Sequence, residues 1–179
     1  MNVKQLIQPV AALLIAALVL FLGTTVLSPI AQENKEQELQ SILSSLLPGA
    51  ESFVQEEYTG EDEAISAVYK ADNGYVIETV TAGYAGDITM LVGVNLDGTI
   101  ASLVVRDMQE TYGLGMEALS DVSFLSHFLW NGTTFTVGEN VDALTGATVT
   151  SKAVAKAVTS ASAFVTGADI GSSATEWGG

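Results

Sequence analysis

The stretch ITMLVGVNLDGTIASLVVRD, residues 88–107, decides the fold class of this chain. In its middle, Asp97-Gly98 is a turn signal between two β-compatible runs, so the stretch predicts a β-hairpin with strands at 88–96 and 99–107. Apolar side chains alternate along the first strand, which predicts that one face of the strand is buried. The side chains expected on that face are Met90, Val92, Val94 and Leu96.

A second hairpin is predicted just before this one. Residues 64–71 and 75–81 are β-compatible and flank Asp72-Asn73-Gly74, which is another turn signal. Four adjacent antiparallel strands need helices to cover their apolar face, and the apolar spacing of residues 118–130 and 151–166 is helical. The predicted fold class is therefore α+β, with one antiparallel sheet covered by helices.

The residues after position 50 are sufficient for one hydrophobic core, and we predict a single domain at 51–167. Its first residues, 51–63, are acidic and are predicted to form a loop or an exposed helix. His127 is surrounded by apolar residues and is predicted to be packed in the core rather than catalytic. Residues 168–179 are rich in Gly and Ser and are predicted to be a loose or partner-ordered tail.

The N-terminal segment has the composition of a membrane anchor. Residues 5–32 contain no charged side chain, and residues 6–27 supply the length of about 20 mostly apolar residues that spans a bilayer core. We therefore predict that residues 1–32 form a membrane anchor helix. A cleaved secretory signal is the alternative, but Pro29-Ile30-Ala31 is a poor cleavage site.

The charges beside this segment predict its orientation. Lys4 precedes the apolar run, so the positive-inside rule places the N-terminus in the cytoplasm and the rest of the chain on the extracytoplasmic side of the cell membrane. Residues 33–50 follow as an amphipathic connecting helix that Pro48-Gly49 ends. Because the apolar run at residues 6–27 has no charged residue for an ion path, we expect this single-pass chain not to carry an ion itself.

The composition excludes several classes of function. The chain has a net charge of −15, and its few basic residues are spread out, which argues against nucleic-acid binding. It has no cysteine and one histidine, which removes disulfides, cysteine-bound iron–sulfur clusters and polyhistidine metal sites. We predict no catalytic residue and no metal site, so a redox role would need another cofactor.

The stretch VDALTGATVTS, residues 141–151, combines small residues with hydroxyls just before a predicted helix that starts near Thr150. The first N–H groups of a helix lack intrahelical partners and bind anions, and Gly146 and Ala147 let the backbone approach a phosphate closely. Lys152 and Lys156 add positive charge nearby. The alternative from the residues alone is an ordinary N-cap with spare hydroxyls.

The segment Asp142-Ala143-Leu144-Thr145-Gly146-Ala147-Thr148 resembles the Asp-x-x-Ser/Thr-Gly-Ala-Thr flavinylation motif of the FMN-binding domain family, and it meets every fixed position of that motif. The resemblance implies that Thr148 carries FMN covalently, through a phosphoester bond. It further implies that Thr145 and Lys152 contact the phosphate. Asp142 would then serve recognition by the flavin transferase that attaches the FMN.

A second block, Glu110-Thr111-Tyr112-Gly113-Leu114-Gly115, is similar to the Glu-Thr-Pro-Gly-Leu-Gly segment of the same family. Here Tyr112 replaces the common proline. Gly83-Tyr84-Ala85-Gly86 and Leu96-Asp97-Gly98 precede the two blocks in the order of the family. The resemblance implies that the second block lies against the flavin ring, with contacts from Glu110, Thr111, Gly113 and Leu114.

One anchor helix followed by such a domain resembles the G subunits of Rnf-type ion-translocating ferredoxin:NAD oxidoreductase complexes. The C subunits of sodium-pumping quinone reductases are a close alternative. The resemblance implies an electron-carrying subunit rather than a free-standing enzyme, with other membrane and redox subunits as partners. A non-redox extracytoplasmic accessory or binding subunit is the alternative from another class, and in it both blocks would be structural turns.

Overall fold

The computed structural model describes residues 35–110, 112, 115–129 and 134–168. The chain divides into two compact units, Met1–Ser41 and Ile42–Gly179. In the first unit, the described residues 35–41 belong to helix α1, which occupies residues 35–46. No helix among the described residues is long and apolar enough to cross a membrane, and the predicted anchor at 1–32 lies outside them.

The second unit is built on a five-stranded antiparallel sheet whose strand order follows the sequence. Both predicted hairpins are confirmed, and the predicted α+β class with them. β2 pairs with β3 and β4 pairs with β5, each pair in antiparallel register. The strands are β1 (Val54–Glu56), β2 (Ile65–Lys70), β3 (Gly74–Ala82), β4 (Asp87–Asn95) and β5 (Ile100–Met108).

The edge strand β1 lies in the segment that was predicted to be a loop or an exposed helix. All three of its residues are exposed, so no apolar alternation marks it in the sequence. It forms because its backbone pairs with the edge of β2, with Val54 opposite Lys70. The side chains of Lys70 and Glu56 add an ion pair at 3.1 Å.

The buried face of β4 carries Met90, Val92 and Val94, each with no exposed surface, as the alternation predicts. Leu96 was expected on the same face but is 61% exposed. The reason is that β4 ends at Asn95, and the chain then turns. In this turn Gly98 has φ +85°, and the Asp97 carboxylate accepts hydrogen bonds from the Thr99 N–H and hydroxyl. These bonds lower the pKa of Asp97.

Within the described part of the chain, three further helices follow the sheet: α2 (Gly115–Ser120), α3 (Val122–Ser126) and α4 (Thr148–Thr166). The single helix predicted at 118–130 is wrong, because Asp121 divides it. The Asp121 carboxylate accepts hydrogen bonds from the N–H groups of Ser123 and Phe124 at 2.8 and 3.2 Å and so begins a new helix. Trp130 lies outside the described residues.

Of the residues that follow Asp121, those on one side of the chain face the core and those on the other side face the solvent. Phe124 and Phe128 are buried in the core, and their rings meet edge to face with centroids 5.4 Å apart. His127 is exposed, so the prediction that it is a packed core residue is wrong. Phe124 and Phe128 lie four residues apart and share the side facing the core, which directs the intervening His127 outward.

Helix α4 covers one face of the sheet with small side chains, and Val154, Ala157, Val158 and Ala161 have no exposed surface. Two buried hydrogen bonds set its position along the sheet. The Thr81 hydroxyl at the end of β3 donates to the Ala153 carbonyl, and the Ser162 hydroxyl donates to the Gly98 carbonyl. The N-terminus of α4 is thereby held at the sheet end where β3 stops and β5 also ends.

The last turn of α1 packs on the opposite sheet face. Leu43, Leu46 and Leu47 are buried there. The Leu46 carbonyl accepts a hydrogen bond from the Ser102 hydroxyl on β5. Helix α1 at residues 35–46 lies within the range 33–50 that was predicted to form an amphipathic connecting helix.

Candidate functional site

The segment before α4 forms a tight turn that presents Thr148. Gly146 has φ +81°, a left-handed conformation that favours glycine, and the Ala147 N–H donates to the Leu144 carbonyl at 2.9 Å. Helix α4 begins at Thr148, two residues before the predicted start near Thr150. Thr148 is exposed at this first helical position.

Ser151 holds this turn against the helix. Its side chain is fully buried, and its hydroxyl accepts a hydrogen bond from the Leu144 N–H at 3.1 Å. The same hydroxyl donates to the Ala147 carbonyl at 2.9 Å. Ser151 thus fixes the segment that carries Thr148, a role that its position in the motif did not reveal.

The start of α4 is not capped by a side chain. Its N-cap residue is Ala147, which has no hydroxyl, and no side-chain hydrogen bond caps this helix end. The interpretation of residues 145–151 as an ordinary Ser/Thr N-cap is therefore wrong. An uncapped helix start presents its first N–H groups and the positive end of its dipole to an anion.

A cavity of about 390 Å³ lies at this helix start. Its volume falls within the range of small-molecule and cofactor sites. Three separate parts of the chain form its walls: the β3–β4 turn, the segment from the end of β5 to the start of α2, and the start of α4. The lining residues are Tyr84, Glu110, Gly115, Gly146, Ala147, Thr148, Val149 and Thr150.

The residues predicted to bind the cofactor fall into three groups. Glu110, Gly146, Ala147 and Thr148 line the cavity, so the structure brings together residues from both motif blocks. A second group is exposed but does not line it: Asp142, Thr145 and Lys152. The third group lies outside the described residues: Thr111, Gly113 and Leu114.

Four lining residues were not predicted as site residues: Tyr84, Gly115, Val149 and Thr150. Each lies in or directly beside a stretch that the sequence analysis singled out. Tyr84 lies in the Gly-Tyr-Ala-Gly stretch and Gly115 ends the second block. Their position in or beside these stretches is the sequence signal that could have identified them as site residues. Only the fold shows which residues of the stretches face the cavity.

Similarity to known proteins agrees with this geometry. Residues 83–163 match the FMN-binding domain family, a range that includes every lining residue. The chain is 33% identical over 151 residues to the G subunit of the proton-translocating ferredoxin:NAD(+) oxidoreductase complex of Clostridium ljungdahlii, covering 78% of each chain. It is 30% identical over 158 residues to the G subunit of the ion-translocating oxidoreductase complex of Vibrio atlanticus, covering 75% of this chain and 76% of the relative.

The chain belongs to the FMN-binding domain family. A further relative in this family is the G subunit of the Na(+)-translocating ferredoxin:NAD(+) oxidoreductase complex of Acetobacterium woodii, which is 33% identical over 102 residues. That match covers 48% of this chain and 45% of the relative, so the chain spans less than half of that protein in the comparison.

The two sides of the cavity differ in what they offer a ligand. On the α4 side, the uncapped helix start and the small residues Gly146 and Ala147 leave the backbone open to a phosphate. On the other side, a Cβ atom at Gly115 would lie 2.5 Å from the Glu110 carboxylate and 2.9 Å from the Thr150 hydroxyl. The close approach of these elements requires a residue without a side chain there.

A larger cavity of about 640 Å³ lies along the C-terminal half of α4. Tyr58, Asp62 and Phe164 are among the residues that line it, and none of its lining residues belongs to either motif block. Lys156, which was expected to add positive charge near the helix start, lines this second cavity. The smaller cavity, and not this larger one, is the place where residues of the two motif blocks meet.

Proposed function

We propose that this chain is the FMN-carrying electron-transfer subunit of an Rnf-type ion-translocating ferredoxin:NAD oxidoreductase complex. One observation carries the proposal: the two motif blocks, far apart in sequence, meet at one cavity where Thr148 is exposed. The names of the relatives, which are G subunits of ion-translocating oxidoreductase complexes, support the assignment to such a complex.

We infer that FMN is joined covalently to Thr148. In the joining step the Thr148 hydroxyl loses its proton and bonds to the phosphorus of FMN, while a flavin transferase supplies the activated flavin nucleotide and its leaving group departs. The added mass is that of FMN minus water. The exposed position of Thr148 supports this step, since a transferase must reach its oxygen.

The residues around Thr148 would hold the phosphate. The first N–H groups of α4 point to this end of the helix, and Gly146 and Ala147 allow the phosphate to approach. Lys152 lies four residues after Thr148 on the same helix face, where its ammonium can approach the phosphate. Thr145, just before the Gly146 turn, is the remaining phosphate contact in this assignment.

The opposite wall would receive the flavin ring. Glu110 and Gly115 are residues of the second block on this wall, and family resemblance assigns Glu110, Thr111, Gly113 and Leu114 to the ring. Asp142 is exposed and outside the cavity, which suits its assigned role in recognition by the transferase. FMN supplies the electron-accepting and electron-donating chemistry, while the chain supplies binding and orientation.

The proposed arrangement of the whole chain completes the assignment. Residues 1–32 anchor it in the cell membrane with the N-terminus in the cytoplasm, and residues 33–50 connect the anchor to the FMN-binding domain at 51–167. The tail at 168–179 is available to other membrane and redox subunits. Outside the cytoplasm free FMN is scarce, and a covalent bond prevents the loss of a cofactor that would otherwise dissociate by mass action.

A Thr148→Ala substitution in the full chain, produced together with a flavin transferase, tests this proposal. We expect wild-type protein to keep flavin fluorescence on a denaturing gel and Thr148→Ala to lose it. Thr136→Ala, at an exposed threonine away from the cavity, is the matched control and should remain fluorescent. Intact mass should show FMN minus water on the peptide that contains Thr148.

Two results would contradict the proposal. A fluorescent band retained in Thr148→Ala would place the flavin on another residue. A colourless wild-type protein made with an active transferase would favour the non-redox accessory subunit instead.

A further inference from the structure

The carboxylate of Glu110 lies where two walls of the cavity meet. It accepts a hydrogen bond from the backbone N–H of Tyr84 at 2.7 Å, which ties the loop after β5 to the β3–β4 turn. Its other oxygen lies beside Gly115 at the start of α2. Glu110 therefore contacts both the β3–β4 turn, through Tyr84, and the first residue of helix α2, Gly115.

Two glycines leave the space that this carboxylate occupies. A Cβ atom at Gly83 would collide with Glu110 Oε1, and a Cβ atom at Gly115 would lie 2.5 Å from Oε2. Gly83 does not have a positive φ angle. Backbone conformation therefore does not require glycine at position 83. The space beside it is taken by the Glu110 side chain first, and by the Gly86 carbonyl and the Ile88 side chain, each 2.9 Å from such a Cβ atom.

The residue that Glu110 holds is an exposed aromatic. Tyr84 is 72% exposed and lines the cavity with its neighbours from α4. A large aromatic side chain left this exposed beside a cavity for a flat ring is suited to stacking. Its backbone belongs to the β3–β4 turn, in which the Gly83 N–H donates to the Gly86 carbonyl at 2.8 Å. The bond from the Tyr84 N–H to Glu110 ties this turn to the loop after β5.

We propose that Glu110 is a positioning residue that holds the β3–β4 turn so that Tyr84 forms an aromatic wall against the flavin ring. This inference rests on the proposed function, because it takes the cavity as the flavin site. In this proposal Glu110 acts through Tyr84. The aromatic contact with the ring is made by Tyr84, which lies outside both motif blocks.

The contact itself can be tested without flavin. In full-length Thr148→Ala protein, amide hydrogen exchange at Tyr84 should become faster by about tenfold or more when Glu110→Ala is added, because a charge-assisted hydrogen bond is lost. Glu110→Gln keeps an acceptor oxygen and should stay close to the parent. The Thr99 amide, which donates to Asp97, serves as the internal control and should not change.

The aromatic wall is tested in the flavin-loaded full chain by flavin fluorescence yield. A tyrosine stacked on a flavin quenches its emission by transferring an electron from the phenol to the excited ring, so Tyr84→Ala should raise the yield several-fold. Tyr84→Phe should raise it nearly as much, because a phenyl ring is a poor electron donor. Glu110→Ala should raise it too, and combining it with Tyr84→Ala should add nothing further, since both changes remove the same contact. Glu110→Gln should restore most of the quenching.

A second variant keeps the test decisive if Glu110→Ala does not fold. Gly115→Ala displaces the carboxylate from the α2 side and should increase both Tyr84 amide exchange and flavin emission. Unchanged exchange in the folded variants would overturn the positioning role, and additive emission changes would overturn the action through Tyr84. A wild-type protein without flavin would instead overturn the proposed function and the wall, while the exchange result would still decide the hydrogen bond.

Discussion

Gly93 shows how one missing side chain determines the packing of a whole helix end. It lies on β4 opposite Val76 and Ser102, on the sheet face that α1 covers. A Cβ atom at this position would collide with the carbonyl oxygen of Leu46. The last turn of α1 can therefore lie directly on the sheet backbone, where the Leu46 carbonyl also accepts the Ser102 hydrogen bond.

We predict that Gly93→Ala lowers the free energy of unfolding by about 1–3 kcal/mol, the usual cost of overpacking a close contact. Ser102→Ala is the comparison variant, since it removes the hydrogen bond without adding atoms, and it should cost about 1 kcal/mol. Urea unfolding of the full chain in detergent measures both. An unchanged Gly93→Ala midpoint would show that the Leu46 backbone shifts without cost.

Helices α2 and α3 illustrate how a short element depends on its terminus. α3 has five residues, too few to be stable through its own hydrogen bonds. It depends on the Asp121 cap at its start and on the burial of Phe124 in the core. Helix α2 ends immediately before this cap, and its first residue, Gly115, lines the cavity at the start of α4.

We predict that Asp121→Ala destabilises the second unit by about 0.5–2 kcal/mol, the range for loss of an N-cap side chain. Asp121→Asn keeps an acceptor oxygen and should lie close to wild type in the same chemical denaturation experiment. If the alanine and asparagine variants were equally stable, the two hydrogen bonds at 2.8 and 3.2 Å would not contribute to stability.

At the scale of the whole molecule, the absence of cysteine allows a clean test of the proposed membrane orientation. We predict that Ser52→Cys, at an exposed position before β1, reacts with a membrane-impermeant maleimide in intact cells. Asn2→Cys, ahead of the apolar run at residues 6–27, should react only after the cells are permeabilised. The reverse labelling pattern would place the FMN-binding domain in the cytoplasm and contradict the positive-inside assignment.

Much of the architecture could be predicted from the sequence because its signals are local. Asp72-Asn73-Gly74 and Asp97-Gly98 mark turns, and strand alternation and helical spacing act between residues only a few positions apart. These signals located both hairpins and helix α4. The family motifs likewise located Thr148 and Glu110, since each motif is a continuous segment.

Tertiary structure decided the features that depend on distant residues. β1 exists through pairing with β2, Asp121 divides a run that reads as one helix, and His127 faces outward because its aromatic neighbours face the core. The site itself is of this kind. Thr148 reaches the wall containing Glu110 because buried hydrogen bonds at Thr81 and Ser162 hold α4 in place along the sheet, and no local pattern encodes that placement.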